Sequence, residues 1–357
     1  MGIENGELPD ADHVAESIGL SIFNGLINAV YGSLTNLVPR LEYSLFNGTS
    51  DIDLGTSSTG IMVVDDTTVT DGLLLEKRNV FIGELYDDYD SSVDTAKWEE
   101  DGTETETTTY IRVSGLGKYL RTHTSTGLDL KQASGWSEVA FKCAGSWATG
   151  GGTTADAQNI NVYLTDGSND VLIGSFGMNT GTRSSGSLTA GYMVIKIDNT
   201  NEEAYMSKAQ VGTVNDTGGN DWGSAIDISS LTKYCLKFTT PSPSGSGPSA
   251  NVDVYNVVYA KASDFSGGNE LVFATNDFSP GVTINNVVPC LVFNEDEFSS
   301  VSHAVKAGGV WDSVENSKIC YLSNTGTSLY YKVTITDSDT DRLLKISMLG
   351  IQYNIHT

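Results

Sequence analysis

Basic residues are scarce in this chain: 20 Lys and Arg stand against 45 Asp and Glu, a formal net charge of −25. They occur one or two at a time, so no clustered cationic face is available for a phosphate backbone or an anionic membrane surface. Nucleic acid and membrane insertion are therefore not expected. Proline is rare at 7 residues, and cysteine numbers only four. Cys143, Cys235, Cys290 and Cys320 are far apart and form no Cys-x-x-Cys or other metal spacing. Three pairings are open to them, and free thiols within strands are the simplest reading. His13, His123, His303 and His356 show no metal-ligand spacing either, and neither a Gly-x-Ser-x-Gly elbow nor a phosphate loop occurs. The most apolar stretch, 18–38, is broken by asparagines and glycines and has no flanking positive charge, which argues against a membrane span. No basic region precedes it, so no secretory signal is expected.

Glycine is abundant at 38 residues, charged residues reach only 18 %, and Ser, Thr, Asn and Asp are dense. Short strands joined by Gly, Asn and Asp turns give that profile, whereas helical bundles do not. A length of 357 residues holds two domains. The exception to the β pattern is the start. Leu20, Phe23, Ile27, Val30, Leu34, Leu37 and Leu41 fall at alternating spacings of three and four, a heptad seam ending near Pro39. Gly25 and Gly32 weaken an isolated helix by roughly 1 kcal/mol each, so a partner is expected. Residues 1–50 are read as an N-terminal helical docking or oligomerisation segment. Residues 51–78 read as a linker with one small β-element at Ile61–Val64. From 79 to 262 the period is two: "EVAFKCA", "NINVYLTDGSNDVLIGSFGM", "YMVIKIDN" and "NVDVYNVVYA" describe antiparallel strands with one buried face. Residues 263–357 read as a second, smaller β-domain, or alternatively as closing strands of the first sandwich, with strands at "ELVFATN", "VVPCLVF", "KICYLSN", "SLYYKVTITD" and "LLKISMLGIQYNI". The expected fold is mainly β: a helix, a jelly-roll β-sandwich and a small β-domain.

One acidic stretch, "LYDDYDSSVDTAKWEEDG" at 85–102, opens this region. "YIRVSGLGKYL", "GWSEVAFKCAGSW", the hairpin above and a late "VDVYNVVYA" strand follow it. In that order these segments resemble the concanavalin A-like lectin/glucanase jelly roll, over about half the chain. The resemblance implies that the Asp-Thr-x-x-Trp turn opens the sandwich. Trp98 then buries against the sheet while Asp94 and Thr95 form a turn. Asp87, Asp88 and Asp90 are expected on the exposed approach, where calcium is the one cofactor their oxygens suit, although their spacing matches no complete calcium loop. The Glu-x-Asp-x-x-Glu strand of the related glucanases is missing. Glu104 and Glu106 lie two apart, roughly 7 Å, which overlaps an inverting pair. They sit in a polar run typical of an exposed strand, however, and the "NEDEFSS" and "DSDTD" clusters read as loop and turn. No catalytic residue is assigned.

Sugar binding is better supported than cleavage, because carbohydrates are held by aromatic stacking with amide or carboxylate hydrogen bonds. Trp136, Trp147, Trp222, Trp311 and Tyr192 offer such faces. Trp222, in "GGNDWGSA", is the first candidate for exposure and Trp147 the second, with Trp136 and Tyr192 completing the set. The opening "NGELPDADHVAESIG" resembles attachment segments of viral tail and head-fibre proteins. That resemblance implies a virion or extracellular structural subunit, forming a homo-oligomer (a trimer by preference) through the heptad seam and meeting other virion proteins through its N-terminus. A host-surface glycan is the expected ligand. The alternative is a secreted or surface carbohydrate-binding protein or glycoside hydrolase.

Overall fold

A computed structural model describes residues 40–354 apart from 45–49, 58–59, 71–72, 91, 150–157, 178–184, 212–224, 245–246, 262–269, 295–297 and 337–340. Among the described residues no α-helix occurs and twenty-two strands do. The first are β1 (Arg40–Ser44), β2 (Gly60–Thr70), β3 (Leu73–Leu85), β4 (Trp98–Glu100), β5 (Thr103–Glu106), β6 (Ile111–Ser114) and β7 (Tyr119–Thr122). Next come β8 (Trp136–Ala148), β9 (Asn159–Thr165), β10 (Asp170–Gly177), β11 (Ser185–Asp198), β12 (Glu203–Val211), β13 (Ile226–Asp227), β14 (Cys235–Thr239) and β15 (Ser249–Lys261). The last are β16 (Glu270–Ala274), β17 (Ile284–Phe293), β18 (Val301–Lys306), β19 (Trp311–Val314), β20 (Cys320–Gly326), β21 (Tyr330–Thr336) and β22 (Leu344–Tyr353).

One sheet of thirteen strands runs through the whole molecule in the order β13-β12-β11-β8-β15-β3-β22-β17-β20, with β1 beside β22, β2 beside β3, and β6 between β5 and β15. A five-stranded sheet (β10-β9-β14-β7-β4) faces its first half and a four-stranded sheet (β16-β21-β18-β19) its second. Each half encloses its own core. In the first, Phe141 meets Phe238 edge-on at 5.0 Å and Phe176 at 6.5 Å. The second gathers Phe273, Tyr331, Ile346 and Leu349. The five strands expected after residue 263 are all present, joined by β18 and β19.

Strand β3 is the seam between the halves. Its Leu85 and Glu84 pair with Val258 and Tyr259 of the first sandwich, while Ile82 and Val80 pair with Leu344 and Ile346 of the second. The one-buried-face expectation for the first sandwich is corrected here. Met193, Ile195 and Ile197 of β11 enter the first core, but Tyr192 and Val194 on the opposite face enter the second. On β15 the same division falls at a bulge after Tyr255, where Asn256 takes a positive φ of 42°. Val252, Val254 and Val257 serve one core, and Val258 and Ala260 the other. Both faces are apolar because both are covered.

Two further corrections concern the N-terminal third. The expected linker is instead a long hairpin in which β2 and β3 pair from Gly60↔Gly83 to Thr70↔Leu73. Its alternating Val and Thr residues suit a strand, and the expected boundary at 79 falls inside β3. Leu41, the last position of the heptad seam, lies on β1 opposite Gln352 of β22. The other seam positions, Leu20, Phe23, Ile27, Val30, Leu34 and Leu37, lie outside the described residues. All four cysteines are free thiols within strands, with Cys143 and Cys235 buried and Cys290 exposed. No helix of the described residues is long and apolar enough to cross a membrane.

Candidate functional sites

The acidic stretch is indeed the entrance to the first sandwich. Asp94 Oδ1 accepts the N–H of Ala96 at 2.9 Å, and its carbonyl accepts those of Lys97 and Trp98, both at 2.9 Å. This turn delivers Trp98 into the core, edge-on to Tyr86 at 5.2 Å. Asp87, expected on the surface, is 2 % exposed. Its Oδ2 accepts the indole N–H of Trp98 at 2.5 Å and its Oδ1 accepts from Lys97 Nζ at 3.1 Å. Buried carboxylates persist only when bonded and paired in this way. Asp88 is 76 % exposed, and exposed Asp90 closes a turn onto the N–H and hydroxyl of Ser92. Of the three aspartates expected to hold calcium, Asp87 and Asp88 thus face Lys97, at 3.1 and 3.9 Å, and Asp90 faces Ser92. Among the described residues no group of three His, Cys, Asp or Glu side chains is arranged to hold a metal ion.

Glu106, at the end of β5, is 8 % exposed rather than on an open strand, and its Oε2 has no hydrogen-bond partner. Burial pushes its carboxyl up to about 7, aided by the negative charges of Asp87 and Asp90 and opposed by the N–H of Asp94 and by Lys97. Neighbouring Tyr89 is buried at a positive φ of 51°, and its hydroxyl also lacks a partner. Glu104 is half-buried, its carboxyl raised by burial and then by Glu100. The two glutamates therefore answer to different surroundings.

The aromatic candidates divide sharply. Trp147 is buried in the first core, and Tyr192 is buried at the seam, 5.9 Å from the ring of Phe81. Neither presents a face to a ligand, because the strands that carry them are covered on both sides. Trp136 is half-buried beneath the guanidinium of Arg342 at 4.0 Å and beside Tyr205 at 6.2 Å. It belongs to a junction in which buried Glu138 accepts from Arg342 at 3.1 Å and from the Leu343 N–H at 3.0 Å, with Lys196 at 3.5 Å. That network ties β8 to the approach to β22. Trp222 lies outside the described residues.

Two surfaces not assigned from the sequence, although Trp311 was among its aromatic faces, emerge on the second sandwich. On the outer face of the four-stranded sheet, Trp311, Lys306 and Tyr330 are opposite one another across β19, β18 and β21. Lys306 Nζ stands 5.0 Å from the Trp311 ring centroid and 3.8 Å from that of Tyr330, and Lys332 Nζ stands 4.9 Å from Trp311. The alternation Tyr330, Lys332, Thr334 in "SLYYKVTITD" carried this signal. On the far side, the outward residues of β17 and β20 include Val292 (45 % exposed), Tyr321 (68 %) and the Cys290 thiol, with Ile319 (45 %) leading into β20. Met348 and Leu41 continue this face through the pairs Val292↔Met348 and Leu41↔Gln352↔Val288.

No protein-family model matches the chain, and no curated protein sequence matches it significantly. Among solved structures, an endo-1,3-β-glucanase from Streptomyces sioyaensis aligns with 50 % of this chain and 95 % of its own, at 11 % identity and a TM-score of 0.30. Lectin I-B4 from Griffonia simplicifolia aligns with 57 % of this chain and 93 % of its own, at 9 % identity and 0.24. A structure described as the triple jelly roll fold and turret assembly in an archaeal virus covers 90 % of this chain and 98 % of its own, at 9 % identity and 0.19. Likenesses this distant carry nothing about activity. The β-sandwich architecture rests on the strands themselves.

Proposed function

We propose that the chain is a structural subunit of a virus particle, assembled as a homo-oligomer and carrying a host-surface, carbohydrate-binding role. The observation that carries the assembly half is the exposed apolar face of Val292, Ile319, Tyr321 and Cys290. Contiguous exposed apolar patches mark sites of association, and the occupant proposed here is a second copy of the chain. Leu41 on β1 belongs to that face. The reading makes the chain a building and binding protein rather than an enzyme. Half-buried Trp311 and Tyr330, on the outer face of their sheet, favour a second reading, a carbohydrate-binding protein that works as a monomer.

Light scattering on the full chain decides between them. The expected result is an oligomer that becomes a monomer in the double variant Val292→Asp/Tyr321→Asp, with the far-ultraviolet circular dichroism unchanged. A wild-type chain that is a monomer at all concentrations removes the assembly reading.

A further inference from the structure

We propose that the outer face of the four-stranded sheet in the second sandwich is a binding site for an anionic saccharide, one bearing carboxylate or sulfate groups. The proposal rests on the carbohydrate half of the function above and places it away from the concanavalin-like region. The starting point is charge. In a chain of net charge −25, nearly every described basic side chain meets a carboxylate or a carbonyl: Lys97 with Asp87, Arg112 with Asp253, Arg121 with Glu99, Lys131 with Glu202, Lys237 with Asp170. Lys306 and Lys332 are different. Among the described residues neither side chain makes a hydrogen bond or a close ion pair; Lys306 stands over the rings of Trp311 and Tyr330, and Lys332 over that of Trp311.

The nearest acids do not neutralise them. Asp53 is engaged by the N–H of Gly55 at 3.0 Å and the Thr56 hydroxyl at 2.6 Å, and Lys306 comes last among the causes that lower its carboxyl. Asp312 is held by the N–H and side-chain amide of Asn324, both at 2.9 Å. Two ammonium groups about 5 Å from one indole, with no close carboxylate partner among the described residues, repel each other and leave a local positive field on a negative molecule. An anion placed between them relieves that repulsion.

The surroundings suit a sugar rather than a polyanion. Next to the Trp311, Lys306, Tyr330 row lies the pair row Ser313↔Ala304↔Lys332, and beyond it Ser302↔Thr334. Small side chains keep this area low, the exposed hydroxyls of Ser302 and Ser313 offer hydrogen bonds while Thr334 is buried, and half-buried Trp311 and Tyr330 form an aromatic rim. A nucleic acid would place many phosphates against the rest of an acidic surface, whereas one or two charged sugar units fit within the platform.

The test is calorimetric titration of the full chain with three probes: an oligogalacturonate, a sulfated galactan oligosaccharide and a neutral β-glucan oligosaccharide. Binding of the uronate or the sulfated probe is expected, weakening with salt, with no binding of the neutral one. Lys306→Ala and Lys332→Ala should each weaken it by about tenfold or more, as for lost charge-assisted hydrogen bonds. Which anionic probe binds separates carboxylate from sulfate recognition. Undiminished anionic binding in the double lysine variant places the site elsewhere and overturns the proposal while leaving carbohydrate binding intact. Equal binding of the neutral probe also overturns it with that function kept. Failure of all three probes removes both the platform and the carbohydrate half of the proposed function.

Discussion

Glu106 shows how one side chain can tune this fold. Its carboxyl is enclosed by Asp87, Asp90, Lys97, the Asp94 N–H and Tyr89, with one oxygen unbonded. A folded-state value of about 7 lies above that of an unfolded glutamate, so the native protein binds the proton more tightly. Its stabilising contribution is complete below the unfolded value and is lost as pH rises through 7. Wild type should therefore lose roughly 1–2 kcal/mol between pH 5 and pH 8 relative to Glu106→Gln, since the open side at Asp90 lets water screen part of the effect. Urea unfolding of both proteins at the two pH values measures this, and parallel pH dependences would refute it. At this scale the sequence was partly legible. The Asp-Thr-x-x-Trp turn fixed Trp98 as a core residue, because Asp94 acts through its nearest neighbours. The burial of Asp87 and Glu106 depends on segments brought together from a distance, which local polarity cannot reveal.

Strands were legible by alternation, and errors arose where alternation had two meanings. Met193 and Tyr192 look like the inner and outer residues of a half-buried strand, yet each faces a core. Trp147 and Tyr192 were placed in a ligand site as aromatic faces, and both are buried. Residues 51–78 were read as a linker with one small β-element because their Thr, Asp and Gly content resembles a loop, although the Val and Leu residues of 60–85 support a long hairpin. Its glycines have a packing role. A Cβ on Gly83 would stand 2.4 Å from the Tyr259 carbonyl oxygen and 2.6 Å from Leu343 Cδ2, where β3 passes β15 and the approach to β22. The neighbouring backbone cannot yield without breaking the Glu84↔Tyr259 pairing. Gly83→Ala should cost about 1–3 kcal/mol. Gly55→Ala, whose Cβ meets only Asp53 Oδ1 at an ordinary 3.4 Å, should change stability little. Equal midpoints for the two variants in urea would show that the close approach at Gly83 relaxes.

Two cores joined by one continuous sheet make a specific claim about the whole molecule. A linker between independent domains would allow one sandwich to melt while the other persists. Here β3 supplies residues to both pairings, and Tyr192, Val194 and Val258 on first-sandwich strands complete the second core. Losing the second sandwich would expose that apolar face to water, so its unfolding raises the free energy of the first. The molecule should melt in a single transition, with calorimetric and van't Hoff enthalpies equal. Phe81, buried against Tyr192 at 5.9 Å, tests the coupling. Phe81→Ala should lower that single transition by about 3 kcal/mol, the usual cost of emptying a packed aromatic site. If the variant instead shows two transitions, one at the wild-type temperature, the seam does not couple the halves. The same rigidity bears on function. A subunit built this way holds the apolar face on β17 and β20 and the lysine-aromatic face on β18, β19 and β21 at fixed positions on opposite sheets of one sandwich. The proposed assembly contact and the proposed recognition surface then stay separate, and occupation of one leaves the other exposed.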